Sequence, residues 1–357
     1  MTELSARDAQ SPSSRLPTHS ITIPPSVPMV ALLGPGDQLL VTIEREFPAV
    51  DVHVRGNELT LRGRSADVAT VERLVDELLE MLDAGQLLTK DAVERSIAML
   101  RARTAERPAD VLTLNIVSNR GRTIRPKTVG QKRYVEAIDL HTVVFGIGPA
   151  GTGKTYLAMA KAVAALQSKR VNRIILTRPA VEAGKRLGFL PGTLSDKIDP
   201  YLRPLYDALH DMVDPDTIPR LMASGTIEVA PLAFMRGRSL NDAFVILDEA
   251  QNTSAEQMKM FLTRLGFGSK MVVTGDITQI DLPGGTRSGL AHVRDILADV
   301  DDIYFTELTS ADVVRHKLVS AIVDAYGASE AKQQAAREAE DHGRHTPRHL
   351  AGGANRP

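Results

Sequence analysis

Between residues 126 and 326 short apolar runs alternate with longer stretches in which apolar residues recur every three or four positions. The runs fall at residues 142–147, 173–177, 226–229, 243–247, 270–274 and 303–306. Runs of this length bounded by turn signals read as buried strands, and the spacing between them reads as helix. The alternation predicts an α/β fold, a parallel sheet covered by helices on both faces. Ahead of it, residues 21–86 show a different order. The pattern there predicts a strand at 29–33, a short amphipathic helix at 37–47, a strand pair at 50–55 and 59–62 turning at Gly56-Asn57, and a helix at 66–82. That last helix carries Val68, Val71, Leu74, Val75, Leu78, Leu79 and Leu82 on one stripe, which is the pattern of packing on a sheet. Residues 1–20 lack periodicity and read as a flexible lead-in, and residues 328–357 as a disordered tail.

Residues 87–125 join the two folded parts. A helix is predicted at 89–103, followed by a short ribbon from 112–117 into 123–125 that turns at Asn119-Arg120-Gly121. Between 101 and 133 nine bases, Arg101, Arg103, Arg107, Arg120, Arg122, Arg125, Lys127, Lys132 and Arg133, face only Glu106 and Asp110. Such a run is either a solvated linker or a stripe facing nucleic acid. Tyr134 is the one nearby ring, so the run lacks the interleaved aromatics of a base-stacking surface.

The chemistry begins where the strand at 142–147 ends. Gly148, Pro149, Ala150, Gly151, Thr152, Gly153, Lys154 and Thr155 match G-x-x-x-x-G-K-[ST] at every fixed position, and Tyr156 opens a helical pattern running to Gln167. Strand, glycine loop and helix follow in the order a phosphate cradle needs. The glycines let backbone N–H groups turn toward phosphates, Lys154 would reach the β and γ oxygens, and the Thr155 hydroxyl would ligate Mg²⁺. A second half of such a site closes the apolar run Ala243-Phe-Val-Ile-Leu-Asp-Glu249. Asp248 would hold Mg²⁺, and Glu249 would polarise the water that attacks a γ-phosphate. After the strand at 270–274, Thr274-Gly-Asp-Ile-Thr-Gln279 would bring Asp276 or Gln279 near that phosphate, and Ala250-Gln251-Asn252 could pass the signal onward.

Composition changes this picture little. The 357 residues are 43% apolar and 24% charged with net charge −1, which suits two soluble domains and gives no global case for nucleic acid or a membrane surface. With no Cys there are no disulfides or thiolate metal sites. No apolar run approaches the roughly 18 residues of a membrane span, and the first residues lack a signal-like apolar core, so a cytoplasmic setting is expected.

Two resemblances follow from these residues. The 21–86 unit resembles a KH-like RNA-binding fold, although Gly34-Pro35-Gly36-Asp37 stands where the G-x-x-G clamp would fall. RNA contact and a packing or assembly role both stay open for it. The GPAGTGKT loop, Lys127-Thr-Val-Gly-Gln-Lys132, Thr177-Arg-Pro-Ala-Val-Glu-Ala-Gly184, the LDEAQN run and TGDITQIDLP together resemble the PhoH family, whose members are similar to the ATPase core of superfamily-one helicases. The resemblance covers nearly all of residues 20–326. It implies ATP hydrolysis linked to RNA handling, with ATP and Mg²⁺ as ligands and an RNA-processing endoribonuclease as a partner. It also implies that Gln131 reads the adenine edge, that Gln279 senses the γ-phosphate and that Arg315 supplies a basic finger. Arg178, Arg236, Arg238 and Arg287 are further candidates for phosphate or subunit contacts. Only one P-loop core is present, so helicase-like work would need neighbouring copies in a ring, such as a hexamer. An ATP-controlled regulatory or scaffold protein and a P-loop kinase are the alternatives. No N-K-x-D element is present to read guanine.

Overall fold

A computed structural model describes residues 18–179, 194–283 and 286–314 with a few positions beyond, and side chains are described from Leu202 in the second stretch. Its contacts divide the chain at Val313, and every element below lies in the first unit.

The amino-terminal part opens with strand β1, Thr18–Thr22. Helices α1, Met29–Leu33, and α2, Gln38–Glu46, follow, joined by the turn at Pro35–Asp37. Strands β2, Val50–Arg55, and β3, Glu58–Gly63, make the expected hairpin, and α3, Ser65–Asp83, is the expected long helix. The sheet order is β1-β3-β2, antiparallel throughout, with Thr18 opposite Arg62 and Val50 opposite Gly63.

Two expectations are corrected here. Residues 29–33 are a helical turn and not a strand. Pro28 precedes it in extended backbone, and only Leu32 and Leu33 are buried while Val30 stays 61% exposed, a one-sided burial that a helix produces. The third strand comes instead from Thr18–Thr22, whose polar residues lie on a sheet edge and carry no apolar alternation to betray them.

Helices α4, Lys90–Arg101, and α5, Pro108–Leu112, pack on α2 and α3. Thr89 caps α4 by accepting from the Ala92 N–H at 3.2 Å. One apolar cluster runs from Ile23 to Leu112 and includes Ile97, Val111 and the α3 stripe. The ribbon is shorter than expected. Leu112 ends α5, and strands β4, Val117–Asn119, and β5, Arg122–Ile124, turn through Arg120 and Gly121, both at positive φ.

The basic run does not form an open stripe. Arg101 pairs with Glu46, Arg107 with Glu77 and Glu80, Arg120 with Asp214, Lys127 with Asp91, and Lys132 and Arg133 with Glu106. Six of the nine bases are therefore spent within the chain. Most of these acids lie tens of residues away in sequence, which is why local charge counting overstated the free positive charge.

The second part is a six-stranded sheet of β6, Val143–Ile147, β7, Arg173–Arg178, β8, Ile227–Pro231, β9, Ala243–Leu247, β10, Lys270–Gly275, and β11, Ile303–Glu307. All six expected strands are present, in order β11-β6-β10-β9-β7-β8, and every pairing is parallel. Alternation along β9 shows the two covered faces. Phe244 and Ile246 join a cluster with α6, Val129–Leu140, α7, Lys154–Gln167, and α8, Leu194–Met212. Ala243, Val245 and Leu247 join another with α10, Ala255–Leu262, and α11, Gly289–Leu297. Helix α9, Ile218–Ala223, precedes β8. Each fully buried aliphatic side chain contributes about 1.5–3 kcal/mol, so two filled faces hold the sheet, and the carboxyl ends of the strands, in fixed register. Among the described residues no helix is long and apolar enough to cross a membrane.

Candidate nucleotide site

The sequence motifs meet at the carboxyl ends of four neighbouring strands. β6 runs into the glycine loop, β10 into Asp276, β9 into Asp248 and Glu249, and β7 ends on Arg178. They enclose a cleft of about 290 Å³ lined by Gly151, Lys154, Thr155, Asp248, Asp276 and Gln279, with Ala150, Gly153, Tyr156 and Glu249 also at its wall.

Gly153 stands at φ 79° as the N-cap of α7, a conformation that brings the loop's amides toward the cleft. The first amides of α7 lack intrahelical partners, so the positive end of the helix faces the cavity. Lys154 is 9% exposed, and its Nζ donates to the carbonyls of Gly148 at 2.6 Å and Pro149 at 2.9 Å. Burial holds this ammonium below the usual lysine value, against the opposing pull of Asp276, Asp248 and Glu249. An ammonium kept on neutral carbonyls has a stronger bond available to an anion. Thr152 closes the loop by donating to the Pro149 carbonyl at 2.9 Å.

Thr155 Oγ1 donates to Asp248 Oδ1 at 2.6 Å, and Thr274 Oγ1 donates to the same oxygen at 2.8 Å. One hydroxyl and one carboxylate, both hard oxygen donors, suit Mg²⁺, which takes one or two carboxylates and fills its octahedron with water and phosphate. Thr274 was missed as a site residue. Its signal is register, since the β9–β10 pairing of Val273 with Leu247 brings the next residue, Thr274, beside Asp248.

Glu249 has φ 53°, the left-handed region, rare for a residue with a side chain and a strain that persists only when surroundings enforce it. Here two groups hold the carboxylate. Arg178 approaches Oε1 at 3.2 Å and Gln251 Nε2 donates to Oε2 at 2.6 Å. Gln251 is 1% exposed, and its Oε1 accepts the Asp276 N–H at 3.1 Å. Asp276 in turn holds Gln279, whose Nε2 donates to Oδ2 at 3.0 Å. Asn252 Oδ1 accepts from the Asp281 N–H at 2.8 Å. A chain of hydrogen bonds thus ties Glu249 to the loop after β10.

The other expected residues fall as follows. Gln131 is 3% exposed and is not one of the residues lining the cleft. Its Oε1 accepts from the Lys127 N–H at 2.7 Å, and its Nε2 donates to the Thr152 carbonyl at 3.0 Å and the Asp312 carbonyl at 3.3 Å. Arg238 forms a two-pronged pair with Glu228, at 2.6 and 2.7 Å. Arg236 and Arg287 are exposed. Arg315 lies outside the described residues.

Beneath the loop lies Tyr134, wholly buried on α6 with a hydroxyl that has no hydrogen-bond partner. Burial, and then the charge of Asp248, push this hydroxyl well above the usual tyrosine value. Its ring lies so close to β6 that a Cβ on Gly146 would sit 2.7 Å from it, so only glycine fits.

The parallel sheet with its glycine loop, buried lysine and strand-end carboxylates defines a P-loop NTPase fold. Residues 123–327 match the family description "PhoH-like protein". The chain is 70% identical over 307 residues to a PhoH-like protein of Mycobacterium tuberculosis strain H37Rv, covering 86% of this chain and 87% of that one. It is 51% identical over 298 residues to a PhoH-like protein of Bacillus subtilis, covering 83% and 93%. The chain belongs to the PhoH-like protein family. Among solved structures it is similar to the Pif1 helicase of Candida albicans, with 14% identity, 55% of this chain and 42% of that chain covered, and a TM-score of 0.30.

Proposed function

We propose that the chain is a Mg²⁺-dependent ATPase that couples hydrolysis to RNA handling. The observation that carries the hydrolytic part is the convergence of Lys154, Thr155, Asp248, Glu249, Asp276 and Gln279 on one cleft. The loop amides and the amino end of α7 cradle the phosphates, and Lys154 leaves the Gly148 and Pro149 carbonyls for a phosphate oxygen. Thr155 and Asp248 hold Mg²⁺, which when bound neutralises charge on the phosphate oxygens. Glu249 orients the attacking water, and Gln279 reads the presence of the γ-phosphate through Asp276. A pure nucleotide binder needs Asp248 but has no use for a strained, doubly held Glu249.

The resemblance supplies the remaining parts of the reading. These are adenine contact by Gln131, a finger from Arg315, an RNA-processing endoribonuclease as partner, a cytoplasmic setting and a homo-oligomeric ring such as a hexamer. For Gln131 to touch a base, its carboxamide must first exchange its bond to the Lys127 N–H or the Asp312 carbonyl.

A second reading is favoured by one observation. Six of the nine connector bases are neutralised inside the chain, which suits a scaffold protein whose assembly is set by ATP without RNA remodelling. Steady-state hydrolysis of ATP and GTP, with and without single-stranded RNA, separates the two. Stimulation by RNA in the parent, together with lost turnover in Lys154→Ala, supports RNA coupling. Turnover that is indifferent to saturating RNA supports the scaffold.

A further inference from the structure

The segment that follows β8 carries chemistry that the nucleotide cleft does not use. Leu232 to Asn241 holds Phe234, Arg236 and Arg238 and no acid. It begins as a short helical turn, Leu232–Met235, and is anchored at three points. Leu232 and Met235 are buried, and Arg238 is locked to Glu228 by its two-pronged pair. Between these anchors Phe234 stands 54% exposed, and Arg236 is exposed and outside any salt bridge among the described residues. Gly237, at φ 76°, turns the backbone and leaves it bare beside Arg236.

Arg264 approaches from beyond the end of α10. Its Nη1 donates to the Arg238 carbonyl at 3.2 Å, and its other bonds go to the Met260 carbonyl and the Thr263 hydroxyl. One exposed ring and two guanidiniums that no described acid holds thus lie on or against a single segment. The basic connector lacks this combination, because most of its bases are paired and the nearby ring, Tyr134, is buried. An aromatic face stacks on an unpaired base and a guanidinium takes phosphate oxygens, so together they recognise a single strand of nucleic acid with little regard to sequence. A ring on an anchored backbone also loses little entropy when it stacks.

Position links the segment to the catalytic carboxylate. It starts at the carboxyl end of β8, the side on which open α/β sheets bind their ligands. Pro231, the last residue of β8, is paired in register with Arg178, the last residue of β7. Arg178 in turn approaches Glu249 Oε1 at 3.2 Å. Negative charge brought to that edge weakens the hold of Arg178 on Glu249.

We propose that Phe234 and Arg236 form a contact for single-stranded RNA, with Phe234 stacking on a base and Arg236 holding a phosphate, and that its occupancy is felt at Glu249 through Arg178. This contact rests on the RNA-coupled reading above and adds to it where the strand sits and by which route hydrolysis responds.

The test uses the full chain and a fluorescently labelled oligouridylate, read by anisotropy. Binding needs no ATP, so it is measured apart from whether the cleft hydrolyses. Phe234→Leu removes the ring but keeps an apolar side chain, and Arg236→Gln removes the charge. Both positions are exposed, so each variant should keep the parent's melting temperature while its RNA affinity falls by at least about tenfold. Phe234→Tyr, which keeps a ring, should bind as the parent does. Arg236→Gln should also lower the slope of log affinity against log salt by about 0.7, whereas Phe234→Leu should leave that slope unchanged. Duplex RNA, whose bases are not free to stack, should compete at least about tenfold less well than the single strand. Arg178→Gln should keep RNA affinity within about threefold and lose the stimulation of hydrolysis by RNA. A parent that binds RNA no better than Phe234→Leu and Arg236→Gln do overturns this contact and leaves RNA coupling to another part of the chain. A parent that hydrolyses ATP but binds no RNA overturns both, and leaves the exposed ring to a protein partner. Undiminished stimulation in Arg178→Gln overturns the route to Glu249.

Discussion

Gln251 is the connection on which the arrangement of the cleft most depends, and Gln251→Met is the perturbation that isolates it. Methionine keeps the length and apolar stem of the side chain but can neither donate to Glu249 nor accept from Asp276. The parent bonds measure 2.6 and 3.1 Å, and the residue is 1% exposed, so water cannot replace them. A hydrogen bond to a charged group contributes about 1.5–3 kcal/mol, and a buried N–H left unpaired costs about 1–3 kcal/mol. These overlap in one site, so a loss of about 2 kcal/mol is expected, or a fall in melting temperature of at most roughly 4–8 °C, the shift that such a loss gives a domain of about 150–250 residues. The larger effect should be on turnover. With one of its two holds removed, Glu249 relaxes from the left-handed conformation, and kcat should fall by about 10–100-fold, the range of a misplaced acid–base group. KM for ATP should change little, because Lys154 and the loop are untouched. Calorimetry and a coupled phosphate-release assay read both quantities. A folded Gln251→Met protein with parental kcat would refute the reasoning, since Glu249 would then not need Gln251 to hold it.

Tyr134→Phe removes a buried hydroxyl that has no partner, so stability should be unchanged or rise by about 1 kcal/mol in denaturant titration. A loss of stability would mean that an internal water bonds that hydroxyl. Gly146→Ala should cost about 1–3 kcal/mol through its clash with the Tyr134 ring. The double variant Gly146→Ala/Tyr134→Leu should recover part of that cost, and additive losses would place the clash elsewhere. Glu228 should give the fold an acid-side dependence. Arg238 hydrogen bonds hold its carboxyl below the usual glutamate value, so this contribution is present above pH about 4.3 and is lost as pH falls through the lowered folded-state value. For a pair still about a third exposed the effect is about 0.5–1 kcal/mol, and Glu228→Gln should flatten that part of the stability–pH curve. An unchanged slope would assign the acid sensitivity to other groups.

The central sheet was legible in the sequence because its inner strands β6, β7, β9 and β10 are buried on both faces and so read as apolar runs. The glycine loop was legible because its backbone demands fixed residue types. The amino-terminal sheet was less so. Thr18–Thr22 is an edge strand with mostly exposed side chains, so it has no hydrophobic signature, and the five apolar residues of α1 fit either a helix turn or a strand. Within the cleft, the residues named by motif were placed together, whereas the roles of Thr274 and Arg178 depend on strand register and that of Tyr134 on helix packing. The basic run from Arg101 to Arg133 shows the same limit, since its partners Glu46, Glu77 and Asp214 are brought close only by the fold.

Hydrolysis at a site where Glu249 serves water and Lys154 serves phosphate is tested most directly by Glu249→Gln. The expected result is ATP binding within about threefold of the parent in the presence of Mg²⁺, together with a fall in single-turnover hydrolysis of at least about a hundredfold. Parental hydrolysis by Glu249→Gln would contradict the account, because the cleft would then be a nucleotide-binding site in which Glu249 performs no chemistry.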